Sequence, residues 1–278
     1  MAKILDGKAV SQRIKSDIRL EVEGMTRKPG LAVVIVGDDP ASQVYVRNKE
    51  KACEEIGFYS EVHRLNKETT QDELLTLVHR LNNDDKIDGI LVQSPLPKGL
   101  DEKLIVDNIL PEKDVDAFHP VNVGKIMIGD YDFLPCTPAG VMELIHESGI
   151  DVRGKECVVV GRSNIVGKPM AMLLLHEHGT VTICHSRTAD LRAVTQRADV
   201  LVVAVGRAKM VTSDMVKEGA VVIDVGMNRT DAGLCGDVDF DGVINVAGAI
   251  TPVPGGVGPM TIAMLMKNTL TAAKRKSL

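Results

Sequence analysis

The sequence predicts an α/β protein of two domains, an N-terminal α/β domain and a Rossmann-like parallel-sheet domain, with a cleft between them. Three observations carry that expectation. From Cys157 onward, short β-branched runs alternate with stretches whose apolar residues recur at helical spacing, the pattern of strands and crossover helices in a parallel sheet. The first half holds two largely apolar runs, residues 31–37 and 87–93, that suit parallel strands buried on both faces. At 278 residues, 44% of them hydrophobic, the chain is long enough for two cores.

Taken in order, residues 10–22 read as a helix that stops near Gly24, and 31–37 as a strand. After the turn Asp38-Asp39-Pro40, Ser42 is the expected N-cap of a helix that ends at Gly57. Tyr45 and Lys49, four residues apart, share one face of that helix near the strand's carboxyl end, where open α/β sheets bind ligands. Lys49 is then either a solvated helix lysine between Arg47 and Lys51 or an amine presented to that crevice, with Tyr45 placed to stack on a flat ring. A helix over 71–81 leads to the strand 87–93. Its last residue, Gln93, is either a neutral polar strand end or a carboxamide aimed at the same crevice, and Ser94-Pro95-Leu96-Pro97 fixes the chain's direction there. The loop 111–119 carries Asp114 and Asp116, which either hold a donor-rich heterocycle or form a solvated turn.

Pro135-Cys136-Thr137-Pro138 reads as a domain junction, with Thr137 capping and Pro138 opening a helix to Ser148. The expected domains are therefore 1–136, completed by a final helix over about 262–278, and 137–261. In the second, strands are expected at 157–160, 181–184, 200–205, 220–224 and 243–247. The stretch 251–261 is so rich in Pro and Gly that it serves either as a hinge or as bare backbone against a ligand.

Composition excludes several classes of function. Five scattered cysteines, none in a Cys-x-x-Cys pair, argue against a disulfide framework or zinc knuckle. His176 and His178 have no third ligand spaced to join them, so no metal is expected. A net charge of −5, with four Phe, three Tyr and no Trp, offers nucleic acid neither a basic footprint nor a stacking platform. No apolar run approaches a membrane span, and the first residues lack a signal peptide's apolar core, so a cytoplasmic enzyme acting on small molecules is expected.

The densest signal is Val158-Val-Val-Gly161-Arg162-Ser163-Asn-Ile-Val166-Gly167-Lys-Pro169, a strand, tight turn and helix start of the kind that receives a pyrophosphate. It is neither a Walker loop, lacking the first Gly and the terminal hydroxyl, nor a regular Gly-x-Gly-x-x-Gly turn, since Ser163 replaces the second Gly and Gly167 comes one residue late. About 20 residues on, where NAD-selecting folds carry an acid, stands His185-Ser186-Arg187-Thr188. A hydroxyl and a guanidinium attract a 2′-phosphate that an acid would repel. NADP is therefore the expected cofactor, with Arg162 a second clamp and Arg187 either a clamp or an exposed helix-start residue.

These motifs together resemble the bifunctional methylenetetrahydrofolate dehydrogenase/methenyltetrahydrofolate cyclohydrolase family. The resemblance runs nearly end to end, through Ser42-x-x-Tyr45-x-x-x-Lys49-x-Lys51, Val92-Gln93-x-Pro95-Leu96-Pro97, Pro111-x-Lys113-Asp114-Val115-Asp116, Pro135-Cys136-Thr137-Pro138, Gly161-Arg162-Ser163-x-x-Val166-Gly167 and the stretch 252–261. It implies oxidation of 5,10-methylenetetrahydrofolate with NADP and hydrolysis of the methenyl product, within one-carbon metabolism and purine biosynthesis, by a homodimer whose first domain is catalytic and binds the folate. It also implies Lys49, Gln93 and Asp116 as catalytic, and Tyr45, Val92, Ser94, Pro254, Gly255, Gly256, Val257 and Gly258 as further folate contacts. Gly161, Arg162, Ser163, Ser186 and Met227 fall on cofactor contacts. Two positions depart from the family's habit: Ser94 stands where Leu is frequent, and Ala117 where Gly is, which restricts the backbone beside Asp116. A hydroxy-acid dehydrogenase on the same architecture would lack the Tyr45/Lys49 pair and Gln93.

Overall fold

The computed structural model describes residues 1–231 and 233–276. The chain runs β1 (Lys3–Ile4), α1 (Gly7–Glu23), β2 (Gly30–Val36), α2 (Pro40–Ile56), β3 (Tyr59–Leu65), α3 (Gln71–Asn82), β4 (Gly89–Val92), α4 (Glu102–Asn108), α5 (Pro120–Ile128) and α6 (Cys136–Ser148). It continues through β5 (Glu156–Val160), α7 (Gly167–His176), β6 (Thr180–Cys184), α8 (Leu191–Thr195), β7 (Val200–Val203), β8 (Val221–Asp224), the hairpin strands β9 (Asn228–Thr230) and β10 (Gly233–Cys235), α9 (Phe240–Val243), β11 (Ala249–Ile250) and α10 (Val257–Lys276). Two compact units result. One, here the Lys49 unit, is Gln12–Cys136 with Ile262–Leu278, of which Ser277 and Leu278 lie outside the described residues; the other, the Gly161 unit, is Met1–Ser11 with Thr137–Thr261.

In the Lys49 unit a parallel three-stranded sheet has the order β3-β2-β4, with Val34 opposite both His63 and Val92. Every residue of the central strand β2 is buried, which explains its unbroken apolar run. Its alternate residues Ala32, Val34 and Val36 pack with Leu74, Val78 and Leu81 of α3 and with Ile105 and Ile109. Helix α2 begins one residue after Asp39, whose carboxylate accepts the Ser42 N–H at 2.8 Å, and it ends at the left-handed Gly57. Asp39, not Ser42, is therefore the N-cap: Pro40 occupies the first helical position, and the residue before it must take the extended conformation a cap requires.

The Gly161 unit holds a wholly parallel six-stranded sheet of order β1-β11-β8-β7-β5-β6. Its core includes Val158, Val160, Leu201, Val203, Val222 and Ile250. Two expectations are corrected here. Residues 1–11 do not group with 12–136, because β1 adds to this sheet's edge, Lys3 opposite Ala249 and Ile4 opposite Ile250. The run 243–247 is not a strand: Val243, Ile244 and Ala247 donate to carbonyls four residues back, and the strand is the shorter β11 that follows. Apolar residues there lie on a helical turn whose Val243 and Ala247 enter the core. No helix among the described residues is long and apolar enough to cross a membrane.

Candidate active site

At the carboxyl end of the three-stranded sheet, Lys49 reaches from the middle of α2 to the residue just beyond β4. Its Nζ donates to Gln93 Oε1 at 2.8 Å, and only 8% of the residue is exposed. The Gln93 amide nitrogen donates in turn to the Ser94 carbonyl at 2.6 Å. That second bond fixes which way the carboxamide faces, so its oxygen must point at the lysine. The Gln93 backbone N–H is itself held by the Val34 carbonyl at 2.8 Å, tying the pair to the central strand.

Asp116, half-buried, supplies the nearby negative charge. Burial pushes the Lys49 amine below the ordinary lysine range, more strongly than the attraction of Asp116 and the Cys136 thiol raises it. Burial likewise raises the Asp116 carboxyl, against the pull of Lys49. Cys136 Sγ donates to Asp116 Oδ1 at 3.6 Å and to the Val115 carbonyl at 3.5 Å. Lys49, Gln93 and Asp116 are thus brought together, and a cation-stabilising acid sits beside an amine that deprotonates more easily than usual.

The rest of the 111–119 loop is scaffold. Lys113 is buried with its amine on the carbonyls of Leu81 and Asp84, at 2.9 and 2.8 Å, and so closes the end of α3. Asp114 accepts the His119 N–H and the Asn122 amide, each at 2.8 Å. Asn268 of α10 donates to the carbonyls of Val115 and Leu134, both at 2.8 Å, so the last helix anchors the segment that carries Asp116. Ala117 is fully buried and left-handed, with φ of 57°, the conformation in which a Gly is unstrained. Of the other folate contacts expected in this unit, Val92 ends β4 opposite Val34, and the Ser94 hydroxyl donates to Glu102 while its carbonyl orients Gln93. Tyr45, one turn before Lys49 on α2, is 40% exposed.

The carboxyl edge of the six-stranded sheet is built differently. Gly161 leaves β5 with φ of 136°, and a Cβ on it would lie 2.3 Å from the Ala204 carbonyl oxygen; one on Gly167 would lie 2.3 Å from the Gly161 oxygen. Both glycines are required by backbone packing, which draws the start of α7 onto the turn. Ser163 Oγ accepts the N–H groups of Val166 and Gly167 at 3.2 and 3.3 Å, replacing a glycine's freedom with a side-chain cap. β5 and β6 are neighbours in parallel register, Val160 opposite Cys184, so the turn at Arg162 and the turn at Ser186 leave the same edge side by side. Arg162, Ser186 and Arg187 are all exposed. A tight glycine turn flanked by a hydroxyl and two free-reaching guanidinium groups fits a dinucleotide bearing a 2′-phosphate.

Met227 lies just past β8 on this edge. A Cβ on Gly258 would come 3.4 Å from Met227 Cε, so one expected cofactor contact meets one expected folate contact within the Gly161 unit. Gly255 has φ of 105°, and a Cβ on Gly256 would stand 2.6 Å from the Pro252 oxygen and 2.8 Å from Thr251 Cβ. Gly256 is therefore demanded by the loop's own fold. Val257 and Gly258 already belong to the first turn of α10, earlier than the expected helix start at 262.

A two-unit α/β enzyme with a nucleotide-type turn on one sheet and a buried lysine on the other is the class these features define. The chain belongs to the tetrahydrofolate dehydrogenase/cyclohydrolase family: the model of its catalytic domain matches residues 5–116, and that of its NAD(P)-binding domain residues 135–277. The chain is 64% identical over 277 residues to the bifunctional protein FolD of Acetivibrio thermocellus, covering 98% of this chain and 97% of that one. The crystal structure of the bifunctional methylenetetrahydrofolate dehydrogenase/cyclohydrolase FolD from Campylobacter jejuni is 50% identical, with a TM-score of 0.96 over 99% of this chain and all of that one. The Trypanosoma brucei methylenetetrahydrofolate dehydrogenase-cyclohydrolase, solved with NADP and an inhibitor, is 41% identical, with a TM-score of 0.94 over 99% and 98% of the two chains.

Proposed function

We propose that this chain oxidises 5,10-methylenetetrahydrofolate to the 5,10-methenyl cation with NADP and hydrolyses that product to 10-formyltetrahydrofolate. The observation that carries the residue roles is the buried Lys49 amine on Gln93 with Asp116 nearby. Removing hydride from a carbon between two nitrogens leaves a delocalised cation, so the first step asks the protein for orientation, not for a base. When bound, NADP supplies the hydride acceptor. Arg162 and Ser186 hold its 2′-phosphate, Gly161 and Ser163 its pyrophosphate turn, and Met227 adds a backbone contact.

Water then adds to the methenyl carbon, and the neutral Lys49 amine takes a proton from it as the C–O bond forms. The resulting ammonium returns that proton to N5 as the C–N5 bond breaks, while the added hydroxyl releases its own proton to solvent water and becomes the formyl carbonyl. Gln93 holds the amine in line for both transfers. Asp116 fixes the pterin, Tyr45 stacks on the folate, and Val92, Ser94 and the loop Pro254, Gly255, Gly256, Val257 and Gly258 line it. Functionally, residues 1–136 with the last helix, about 262–278, form the folate-binding part and 137–261 the NADP-binding part, although residues 1–11 pack within the Gly161 unit.

We further propose that the enzyme works in the cytoplasm as a homodimer. The outward edge of β6, the last strand of its sheet, and the exposed Ile183 on it support an assembly of two copies. Light scattering of the purified chain reads its mass directly, and a monomer at micromolar concentration would refute the dimer. For the activity, absorbance is followed with methylenetetrahydrofolate and NADP, then with methenyltetrahydrofolate alone. NADPH formation in the first assay and loss of methenyl absorbance in the second are expected. Failure of either overturns that half of the assignment.

A further inference from the structure

Asp237 lies beyond the hairpin β9–β10, far in sequence from the Gly161 turn, and it is completely buried. Its carboxylate accepts four N–H bonds. Oδ2 takes those of Val205 and Gly206 at 2.7 and 2.9 Å; Oδ1 takes the Arg207 N–H at 2.8 Å and the Asn228 side-chain amide at 2.9 Å. Three consecutive amides converging on one anion are the arrangement that loops use to hold a phosphate. Here the protein's own carboxylate fills it.

The segment it holds is the exit of β7, directly after Ala204, whose carbonyl oxygen is the atom that packs against Gly161. Asn228 immediately follows Met227. A second buried carboxylate, Asp224 at the end of β8, accepts the N–H groups of Gly226, Asp237 and Val238 at 2.9, 3.0 and 2.9 Å. Two glycines make room for this clasp: a Cβ on Gly226 would lie 2.2 Å from Asp237 Cγ, and one on Gly236 only 1.8 Å from Asp224 Oδ2. Asp237 therefore ties the loops after β7 and β8 into one floor, against which the turn after β5 rests.

Taking the dinucleotide to lie at this edge, as proposed above, we infer that Asp237 is a positioning residue for cofactor binding, acting through the Val205, Gly206 and Arg207 amides and Asn228. It touches no ligand. Its effect differs from that of Arg162 in kind: a displaced floor disturbs the part common to NAD and NADP, whereas a lost guanidinium disturbs only the 2′-phosphate.

The test is equilibrium binding of NADP and of NAD to the full chain by calorimetry, at a temperature where circular dichroism shows each variant fully folded. In Asp237→Asn the amide nitrogen confronts two N–H donors that had an acceptor. Both dinucleotides should weaken by the same factor, roughly tenfold or more. Asn228→Ala removes one donor of the four and should weaken both equally by a smaller factor; it also decides the matter should Asp237→Asn not fold. Arg162→Ala, run beside them, should weaken NADP alone, and unchanged NADP binding there would overturn the assignment of Arg162 to the 2′-phosphate without touching the role of Asp237. If folded Asp237→Asn melts earlier yet binds both dinucleotides within twofold of the parent, or if a folded Asn228→Ala does so where Asp237→Asn is unusable, Asp237 is only a stabilising residue and the inference fails.

Discussion

The two sheets of this protein end in opposite ways. At the edge of the three-stranded sheet the working amine is buried and already bonded, Lys49 on a half-buried Gln93, with half-buried Asp116 close by. At the edge of the six-stranded sheet the charged groups, Arg162 and Arg187, stand in solvent, and what is buried is the glycine turn beneath them. The contrast suits the tasks proposed for the two edges. A proton shuttle needs a shifted pKa, and at Lys49 desolvation is what shifts the amine down. A phosphate clamp needs its full charge, and it keeps that charge most cheaply in water until the ligand arrives.

The largest expected effect breaks the first edge. Lys49→Met should slow methenyltetrahydrofolate hydrolysis by about 10²–10⁴-fold, the range for loss of a general acid–base group, while hydride transfer to NADP keeps most of its rate. Parallel assays of the two half-reactions decide this, and equal losses in both would make Lys49 a folate-binding residue only. Arg162→Ala probes the second edge. Losing a charge-assisted phosphate bond costs about 1.5–3 kcal/mol, so the KM for NADP should rise roughly 10- to 100-fold while that for NAD barely moves.

Gln93→Ala sharpens the comparison by leaving Lys49 in place without its acceptor. A carbonyl that accepts from the ammonium favours the charged form, so its removal should lower the amine's pKa further. The limb of the hydrolysis pH profile that reports deprotonated Lys49 should then move to lower pH, with the rate falling by about an order of magnitude. A slower enzyme with an unmoved profile would leave Gln93 no role in tuning the amine. The smallest effect is expected at Ala117→Gly. Relief of a left-handed Ala is worth about 1–2 kcal/mol, and losing the buried methyl and stiffening costs a similar amount. Urea unfolding should therefore change by no more than about 1 kcal/mol, and a larger loss would mean that the Ala117 methyl is a packing contact the fold depends on.

Much of this was legible in the chain because it is local. The strand at 31–37 announces itself by seven buried residues in a row, Lys49 and Gln93 stand out as candidates by helix spacing and a strand end, with their roles implied only by the family resemblance, and the Gly161 turn by its glycines. What was hidden depends on partners far away in sequence. β3 carries Glu61, His63 and Arg64 because it is an edge strand, and so lacks the apolar run that reveals β2. Residues 1–11 look like a chain start, yet β1 pairs with β11 some 245 residues later. Asp224 and Asp237 sit among glycines like turn residues in water, and only the loops they bind show them to be interior. In the 111–119 loop the spacing offers Asp114 and Asp116 as equals; the fold spends the first on scaffold bonds and sets only the second close enough to Lys49 to act on its amine.

The claim on which the contrast stands is that burial, opposed by Asp116, leaves the Lys49 amine easier to deprotonate than a lysine in water. It can be measured directly by NMR titration of protein carrying 15N-labelled lysine side chains, with the Lys49 signal assigned by its disappearance in Lys49→Met. A midpoint clearly below the ordinary value of about 10.4 is expected. A midpoint at or above that value would contradict it, because Asp116 would then outweigh burial and Lys49 would remain an ammonium through the water step.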